Sequence, residues 1–308
     1  MTLLSRLAQL AKPSTQQTQS TYLLDTHTTA LTHKVPQNII DQYPTYKSLM
    51  TLSSGKLRPI FSESSLKFDK GDVSYTVKGV YLAPSTDVQG INTCKFAGKC
   101  KHLCLKNTGN MKYNFSTREL KTLALYLYPT EFIAQLITEI RQHANVAKAN
   151  NSILMLRLNG TSDILWEDII DMKTLVDDIN REGGLLGGFY DYTKYPLSKR
   201  PHVNHEYYHL TFSYDEKKNA NKDAQIYIQH GLSVAMVLDG KDIKQLNKQG
   251  IEYIDGDTDD FRFLDKNQLV VLKYKRPMIK TDDGYKTVEK NNFIQTLSTA
   301  VTFIKSIA

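Results

Sequence analysis

The sequence predicts an α/β fold, and more specifically a partial (β/α) barrel with mainly parallel strands. About seven strand-like segments alternate with helix-like segments, an order that is typical of a parallel sheet. Near-continuous apolar strands, such as residues 153–158, indicate burial on both faces of the sheet. Several strands also end in polar clusters, as strands do at the mouth of a barrel. An open α/β sheet is the alternative that remains.

The strand predictions rest on runs of β-branched and aromatic residues that are bounded by turn residues. The first run stops at Pro84, because proline cannot donate to a strand ladder. The predicted strands are TVKGVYLAP (76–84), SILMLRL (152–158), GGFYDYTK (187–194), YYHLTFS (207–213), LSVAMVL (232–238), IEYID (251–255) and LVVLKYK (269–275).

The helix predictions rest on apolar residues that recur every three or four positions. Ser116 and Glu119 have the spacing of a capping box, which predicts a helix that must break near Pro129. A second helix then runs to about Ala147. Further predicted helices cover residues 164–182, 219–230, 241–249 and 288–307.

Three regions are predicted along the chain. Residues 1–60 are rich in Thr, Gln and Ser, and we expect a loosely ordered arm there, apart from a short helix at Leu3–Leu10. Residues 61–285 are expected to form the barrel-like domain. Residues 286–308 are expected to end the chain as an amphipathic helix packed on that domain.

The charge of the chain favours an anionic partner. A net charge of +7 and an isoelectric point near 9.0 suit nucleic acid or a phosphorylated small molecule. The basic residues are dispersed, so the sequence has no basic tail. It has no run of about 18 apolar residues, and it begins without a secretory signal. We therefore expect a cytoplasmic protein that does not associate with a membrane.

All the cysteines of the chain, Cys94, Cys100 and Cys104, lie in the segment NTCKFAGKCKHLCLKNTG, residues 92–109. An odd, clustered set in a reducing compartment argues against disulfides and favours a metal or redox role. Three thiolates can hold three irons of a [4Fe–4S] cluster and leave the fourth iron open. We therefore expect these cysteines to be metal ligands.

Four lysines flank the cysteines in sequence: Lys95, Lys99, Lys101 and Lys106. We expect them to lower the pKa of the thiols, because nearby cations favour the thiolate form. A zinc site of three cysteines and a histidine, such as His102, is an alternative, although a five-residue gap is long for a zinc ligand pair. Unliganded cysteines are the remaining interpretation, and the flanking lysines disfavour it.

Polar side chains follow several predicted strands. In α/β barrels the carboxyl ends of the strands meet at one mouth, where active sites lie. The clusters are Asn159, Thr161 and Asp163; Asp191, Tyr192 and Lys194; Ser213 and Asp215; and Asp255, Asp257, Asp259 and Asp260. The predicted catalytic residues are Asp191 and Lys194, and the predicted cofactor- or substrate-binding residues are Asn159, Asp163, Ser213, Asp255 and Asp257. The competing explanation is that Asp and Asn simply favour turns and helix caps.

Three histidines enter one strand in PHVNHEYYHL: His202, His205 and His209. Together with a tyrosine such as Tyr192, they suggest a metal-dependent nuclease that nicks single-stranded DNA. The spacing differs from the H-x-H motif of such enzymes. We expect instead that His205 faces solvent and that His209 is hydrogen-bonded in a buried network.

Five segments, taken in order, resemble one family of bacteriophage proteins. The segments are YLAPSTDVQGINTCKFAGKCKHLCLKNTG, RLNGTSDILWE, FYDYTK, YHLTFS and YIDGDTDDFRF. Between about Val80 and Lys275 the chain thereby resembles the gene product 88 family. The resemblance implies a phage or mobile-element origin, and hence the host cytoplasm, and it implies that the cysteines belong to a family pattern. It implies no particular reaction.

In layout the chain also resembles radical S-adenosylmethionine enzymes. In those enzymes a partial barrel holds a three-cysteine [4Fe–4S] cluster after the first strand, and the open iron binds S-adenosylmethionine. The cysteine spacing here is C-x5-C-x3-C instead of the usual C-x3-C-x2-C. The resemblance implies an iron–sulfur enzyme whose substrate, small molecule or nucleic acid, binds at the strand ends. The alternative is a basic phage protein that binds nucleic acid or acts in replication and has a structural zinc site.

Overall fold

The computed structural model describes residues 22–24, 31, 33–62, 72–109, 111, 115–282 and 284–307. The short helix predicted at Leu3–Leu10 lies outside these residues. None of the helices in these ranges is long and apolar enough to traverse a bilayer.

An eight-stranded sheet lies at the centre of the fold. Its strands are β1 (Phe61–Ser62), β2 (Tyr75–Val80), β3 (Ile153–Arg157), β4 (Leu186–Thr193), β5 (Tyr208–Ser213), β6 (Ser233–Leu238), β7 (Ile254–Asp255) and β8 (Leu269–Lys273). Their order is β1-β2-β3-β4-β5-β6-β8-β7, and every neighbouring pair is parallel except β1 with β2. A separate hairpin consists of β9 (Met278–Thr281) and β10 (Gly284–Thr287). The sheet is not closed, and the predicted α/β fold with mainly parallel strands is confirmed.

Eight α-helices lie in the described part of the chain. They are α1 (Gln37–Gln42), α2 (Tyr46–Met50), α3 (Phe115–Leu127), α4 (Pro129–Ala149), α5 (Met172–Arg181), α6 (Ala220–Gln229), α7 (Gly240–Lys248) and α8 (Leu297–Ile307). The predicted break near Pro129 is confirmed. Pro129 is the first residue of α4, where the missing N–H of proline has no helical partner to lose.

Two predicted helix starts were wrong. Ser116 lies inside α3 and does not cap it. After β3, the residues Trp166–Asp168 form a 3-10 helix, and α5 begins only at Met172. There the Asp171 side chain caps the helix by accepting the N–H of Thr174 at 3.0 Å.

The described part of the N-terminal region packs on the domain. Tyr22 is fully buried, and its hydroxyl donates to Asp178 at 3.0 Å. The Thr45 side chain caps α2, and Met50 at the end of that helix is buried. Between residues 33 and 60 the chain therefore forms two helices, where the sequence predicted a loosely ordered arm.

The end of the chain is a shorter helix than predicted. The N–H of Gln295 donates to the carbonyl of Val237 in β6 at 2.8 Å, so this part of the chain runs alongside the sheet before α8 begins. Ala300 and Phe303 form the buried side of α8.

Helices cover one face of the sheet. Strands β2 to β6 are neighbours in both sequence and space, and right-handed crossovers place the connections of such strands on one side. Leu154 and Leu156 of β3 accordingly pack into the main core with helix residues such as Phe132. The alternate residues Ile153 and Met155 belong to a second, smaller core on the opposite face.

The loop between β7 and β8 packs on that opposite face. Phe261 from the loop joins the smaller core beside Tyr190. The neighbouring Asp260 is buried and accepts hydrogen bonds from the Arg157 guanidinium at 2.7 Å and from the Tyr190 hydroxyl at 3.2 Å. One buried ion pair therefore attaches the loop to β3.

Replacing Asp260 by alanine is expected to lower the free energy of unfolding by about 3–5 kcal/mol, because Arg157 is left buried without its partner. Urea unfolding followed by circular dichroism measures the loss. As a control, Lys173→Ala removes the exposed partner of Asp177 and is expected to cost less than about 1 kcal/mol. Similar losses in the two variants would show that the loop is not held by this pair.

Candidate functional site

The cysteine segment folds over the carboxyl ends of the parallel strands. The N–H of Asp163, which follows β3, donates to the carbonyl of Thr93 at 2.8 Å. The N–H of Lys99 donates to the carboxylate of Glu216, which follows β5, at 2.7 Å. A Cβ at Gly98 would lie 2.3 Å from that carboxylate, so a larger residue there would displace the Glu216 side chain. The segment therefore spans the edge of the sheet from β3 to β5.

Cys94 is half-buried at the start of this segment. The N–H of Ser85 donates to its Sγ at 3.2 Å, and the Sγ lies 3.9 Å from the carbonyl oxygen of Thr161. Burial raises the pKa of the Cys94 thiol to about 12, and the Ser85 N–H opposes that shift. Without a metal, Cys94 is therefore a neutral thiol at neutral pH.

Cys100 and Cys104 lie on and between two short 3-10 helices. Burial raises the pKa of both thiols. At Cys100 the Lys194 ammonium and the Gly98 N–H oppose the shift. At Cys104 the backbone N–H and the ammonium of Lys106 oppose it. Each thiol of the chain thus has one backbone N–H that favours its ionised form.

The flanking lysines affect the thiols less than their spacing predicted. Lys95, Lys99 and Lys101 are exposed, and of the four flanking lysines only Lys106 is a main cause of a thiol pKa shift. The pKa values of all three thiols are raised, because the loss of water around sulfur outweighs the nearby cations. The prediction of lowered thiol pKa values was therefore wrong for the metal-free chain.

The three thiols share one neighbourhood but do not converge on a point. Cys104 acts electrostatically on Cys94, and Cys100 acts on Cys104. Asp163 acts on Cys94, and Lys194 acts on Cys100, so the sulfurs lie near the strand-end groups. Within the described residues, no three His, Cys, Asp or Glu side chains are placed to hold a single metal ion.

Lys194 extends from the end of β4 to the end of β5. Its ammonium donates to the carbonyl and the hydroxyl of Ser213, each at 3.0 Å, and lies 4.5 Å from the ring centre of Phe293. Burial lowers the pKa of Lys194, and the Cys100 thiol and Asp215 oppose that shift. Among the ion pairs of the described residues, none involves Lys194. The structure thus brings together two predicted site residues, Lys194 and Ser213.

Asp163 is a buried carboxylate beside the same thiols, with 8% of its surface exposed. Its Oδ2 accepts the N–H of Lys194 at 2.8 Å, whereas its Oδ1 accepts no hydrogen bond from the described residues. Burial raises the pKa of Asp163, and Arg200 is the main charge that opposes the shift. The Asp163 carboxylate therefore keeps an unused acceptor at the predicted site.

Asn159 and Asp191 connect the ends of β3, β4 and β5. The side-chain oxygen of Asn159 accepts the Ile164 N–H at 2.9 Å and the Trp166 indole N–H at 3.2 Å. Asp191 accepts the Asn159 N–H at 2.8 Å and the Tyr208 hydroxyl at 2.7 Å, and burial raises the pKa of Asp191 to about 7. Both side chains are occupied by protein groups. The catalytic role of Asp191 and the binding role of Asn159 therefore stay predictions.

Asp255 and Asp257 lie far from the cysteine segment. They follow β7 at the far edge of the sheet, where β8 and β6 separate them from β5. Asp255 accepts the N–H of Asp257 at 2.9 Å. Asp257 accepts the N–H of Lys273 at 2.8 Å and forms an ion pair with Lys275 at 3.3 Å. The sheet order thus separates these two predicted residues from the cysteines.

The three histidines have different surroundings. His202 is exposed, and its ring nitrogen lies 2.7 Å from Asp168. His205 is half-buried, so the expectation that it faces solvent holds only in part. The Nε2 of His209 is buried without a hydrogen bond from the described residues, and burial lowers the pKa of His209 to about 4. The expected hydrogen-bonded network around His209 was therefore wrong.

Sequence analysis missed the charged pair that anchors the cysteine segment. Glu216 accepts the Lys99 N–H, and the Lys217 ammonium donates to the carbonyl of Phe96 and to Asp215, each at 2.5 Å. The signal was present in the sequence, because both residues directly follow Asp215 at the end of a predicted strand.

A model of the gene product 88 family matches residues 51–290. That range contains the three cysteines and every strand-end residue described above. A search of curated proteins gave no match, and a search of solved structures gave none.

Alkylation of Cys94 by iodoacetamide is expected to rise about tenfold per pH unit between pH 7 and 10 without levelling off, because its raised pKa keeps the thiolate scarce throughout this range. The metal-free Cys100→Ala, Cys104→Ala chain isolates this thiol, and mass spectrometry gives the rates. In urea the same chain should level off above pH of about 8.5, as a free cysteine does. Levelling at that pH in the folded chain would contradict the assigned environment.

Proposed function

The chain belongs to the gene product 88 family, and we propose that it is an iron–sulfur protein. In this proposal Cys94, Cys100 and Cys104 hold a [4Fe–4S] cluster at the carboxyl ends of the parallel strands. One observation carries the proposal. All the cysteines of the chain lie at this edge, and each thiol has a backbone N–H that favours its ionised form.

The donor set fits a cluster. Cysteine thiolates are the ordinary ligands of iron–sulfur clusters. Hydrogen bonds to the sulfurs help to set the reduction potential of the cluster. The backbone N–H groups that favour the ionised thiols belong to Ser85, Gly98 and Lys106. Because these donors are part of the backbone, they are present whatever side chains the loop carries.

The charges around the thiols also fit a cluster. Ligand thiols must lose their protons, and these three are too poorly solvated to do so alone. Iron supplies the positive charge that would stabilise the thiolates. Lys194 lies beside Cys100, and Lys106 and Arg118 lie beside Cys104. These cations offset part of the remaining negative charge of a thiolate-bound cluster.

The spacing of the thiols is compatible with a cluster. A single zinc ion needs its ligands to converge at about 2.0–2.3 Å from one point. A [4Fe–4S] cluster instead takes each thiolate at a separate iron. Thiols therefore need not converge on one point to hold a cluster.

Three cysteines leave one of four irons without a cysteine ligand. We infer that S-adenosylmethionine or a substrate binds there, which makes the protein an enzyme similar in layout to the radical S-adenosylmethionine group. When bound, a cluster of this kind supplies one-electron chemistry. The strand order supports a partial (β/α) barrel, because β2 to β6 follow one another with helices on one face.

The residues of the chain would then bind and orient the substrate. Lys194 and Ser213 form one polar group at the strand ends, and Asp163 provides a second, buried one. Asn159 and Asp191 keep the ends of β3, β4 and β5 in register. In this proposal Asp163 and Lys194, rather than Asp191, contact the substrate.

A second candidate is a nucleic-acid-binding protein with structural zinc. The exposed side chains of Lys95, Lys99 and Lys101 favour it, because they present positive charge on the outer side of the cysteine segment. In this candidate the loop would have to close around one ion, with a residue such as His102 as the fourth ligand.

Anaerobic reconstitution with iron and sulfide is expected to give a brown protein with about four irons per chain, since three cysteines and one open position complete a [4Fe–4S] cluster. Elemental analysis and visible absorption measure the result. The Cys94→Ala, Cys100→Ala, Cys104→Ala chain should stay colourless, whereas His102→Ala should take up as much iron as the parent. A colourless parent chain, or one that takes up only zinc, would defeat the proposal.

A further inference from the structure

A cleft of about 360 Å³ opens beside Cys94. Thr93 and Lys95, the sequence neighbours of Cys94, line it on one side, and the segment after β3 lines it on the other. Its volume is in the range of small-molecule sites. No cysteine lines the cleft, so its chemistry is that of other side chains.

One buried carboxylate lines the cleft. Asp163 lines it, is 8% exposed, and has a carboxylate Oδ1 with no hydrogen bond from the described residues. Leaving a buried carboxylate oxygen unpaired is costly, and nearly all such groups in proteins have a donor. A ligand with a hydrogen-bond donor could satisfy this carboxylate after a small turn of the side chain.

The neighbouring cations bind other groups. The Arg200 guanidinium donates to both carboxylate oxygens of Glu167, at 2.7 and 2.6 Å, and its Nη1 has no hydrogen bond to the described residues. The Lys194 ammonium donates to Ser213, and only its backbone N–H reaches Asp163, at Oδ2. Neither cation therefore donates to the Oδ1 oxygen.

The walls of the cleft suit a cation with an apolar body. The rings of Tyr126 and Tyr195 line it together with the aliphatic side chains of Ile164 and Leu165. Aromatic faces attract ammonium groups, most strongly where water is excluded. An ammonium also brings several donors and the charge opposite to that of Asp163.

We infer that this cleft binds small molecules in which a primary ammonium group is attached to an apolar body, with the ammonium paired with the carboxylate of Asp163. The apolar part lies between the two tyrosines. As a binding site the cleft stands by itself, and only its use as a substrate site beside a cluster rests on the proposed function.

Benzylamine is a suitable probe, because it has one ammonium group on a ring that the cleft can hold. A ligand of this size is expected to bind with a Kd in the millimolar range. The full chain, purified anaerobically and with its iron content measured, is titrated with benzylamine by ligand-observed NMR. Benzyl alcohol, which lacks the charge, is titrated in parallel and is expected to bind at least about tenfold more weakly.

Two variants test the assigned contact. Asp163→Asn keeps an acceptor for the Lys194 N–H but loses the charge, and it should weaken benzylamine binding about tenfold. Asp168→Asn makes the same change at a cleft carboxylate that already pairs with His202, and it should change binding less than about twofold.

A third variant covers the case in which Asp163→Asn unfolds. Leu165→Trp fills the cleft from its half-buried edge and should abolish benzylamine binding while Asp163 stays in place. Equal affinity for benzyl alcohol, unchanged binding in Asp163→Asn or in Leu165→Trp, or no binding by the parent would each overturn the inference. A chain that binds benzylamine as expected but takes up no iron would remove the proposed function and keep the cleft.

Discussion

The structure depends on the order of its parallel strands. Because β2 to β6 are neighbours in sequence and in space, their carboxyl ends meet along one edge of the sheet, and helices cover one face. The cysteine segment follows β2 and can therefore span that edge as far as β5, where Glu216 accepts the Lys99 N–H. The same order leaves the other face to be covered by a loop, which the Arg157–Asp260 ion pair holds in place.

Along this edge, the protein does not fully compensate its own charges. The three thiols are too poorly solvated to ionise without help, although each has a backbone N–H that favours ionisation. Lys194 has no carboxylate partner among the described residues, and Asp163 has an unused acceptor. Buried groups in this state are frequent where a ligand or a metal completes the site. We therefore propose that this edge holds a cofactor beside a small ligand.

Local patterns predicted the sheet well, because its strands are short runs of β-branched and aromatic residues that are buried on both faces. They failed where contacts between residues far apart in sequence determine the local structure. Apolar spacing around Trp166 predicts a helix, but the Asn159 side chain takes the Ile164 N–H and the Trp166 indole and holds a turn there. Proximity in sequence likewise indicated the wrong lysines as the cations that act on the thiols. Lys194, far from the cysteines in sequence, acts on Cys100, whereas Lys95 beside Cys94 is exposed and is no main cause of a thiol pKa shift.

The strand-end residues fall into two groups, one near the cysteines and one far from them, because contacts between distant parts of the chain set the strand order. Asp257 resembles Asp163 in sequence context, yet the insertion of β8 between β6 and β7 moves it to the far edge. Strand order cannot be derived from the composition of single strands. The central claim, that the three thiols hold an iron–sulfur cluster, is tested most directly by X-ray absorption at the iron and zinc edges of anaerobically purified protein. The account predicts iron surrounded by sulfur with further iron nearby, and zinc alone or no bound metal would contradict it.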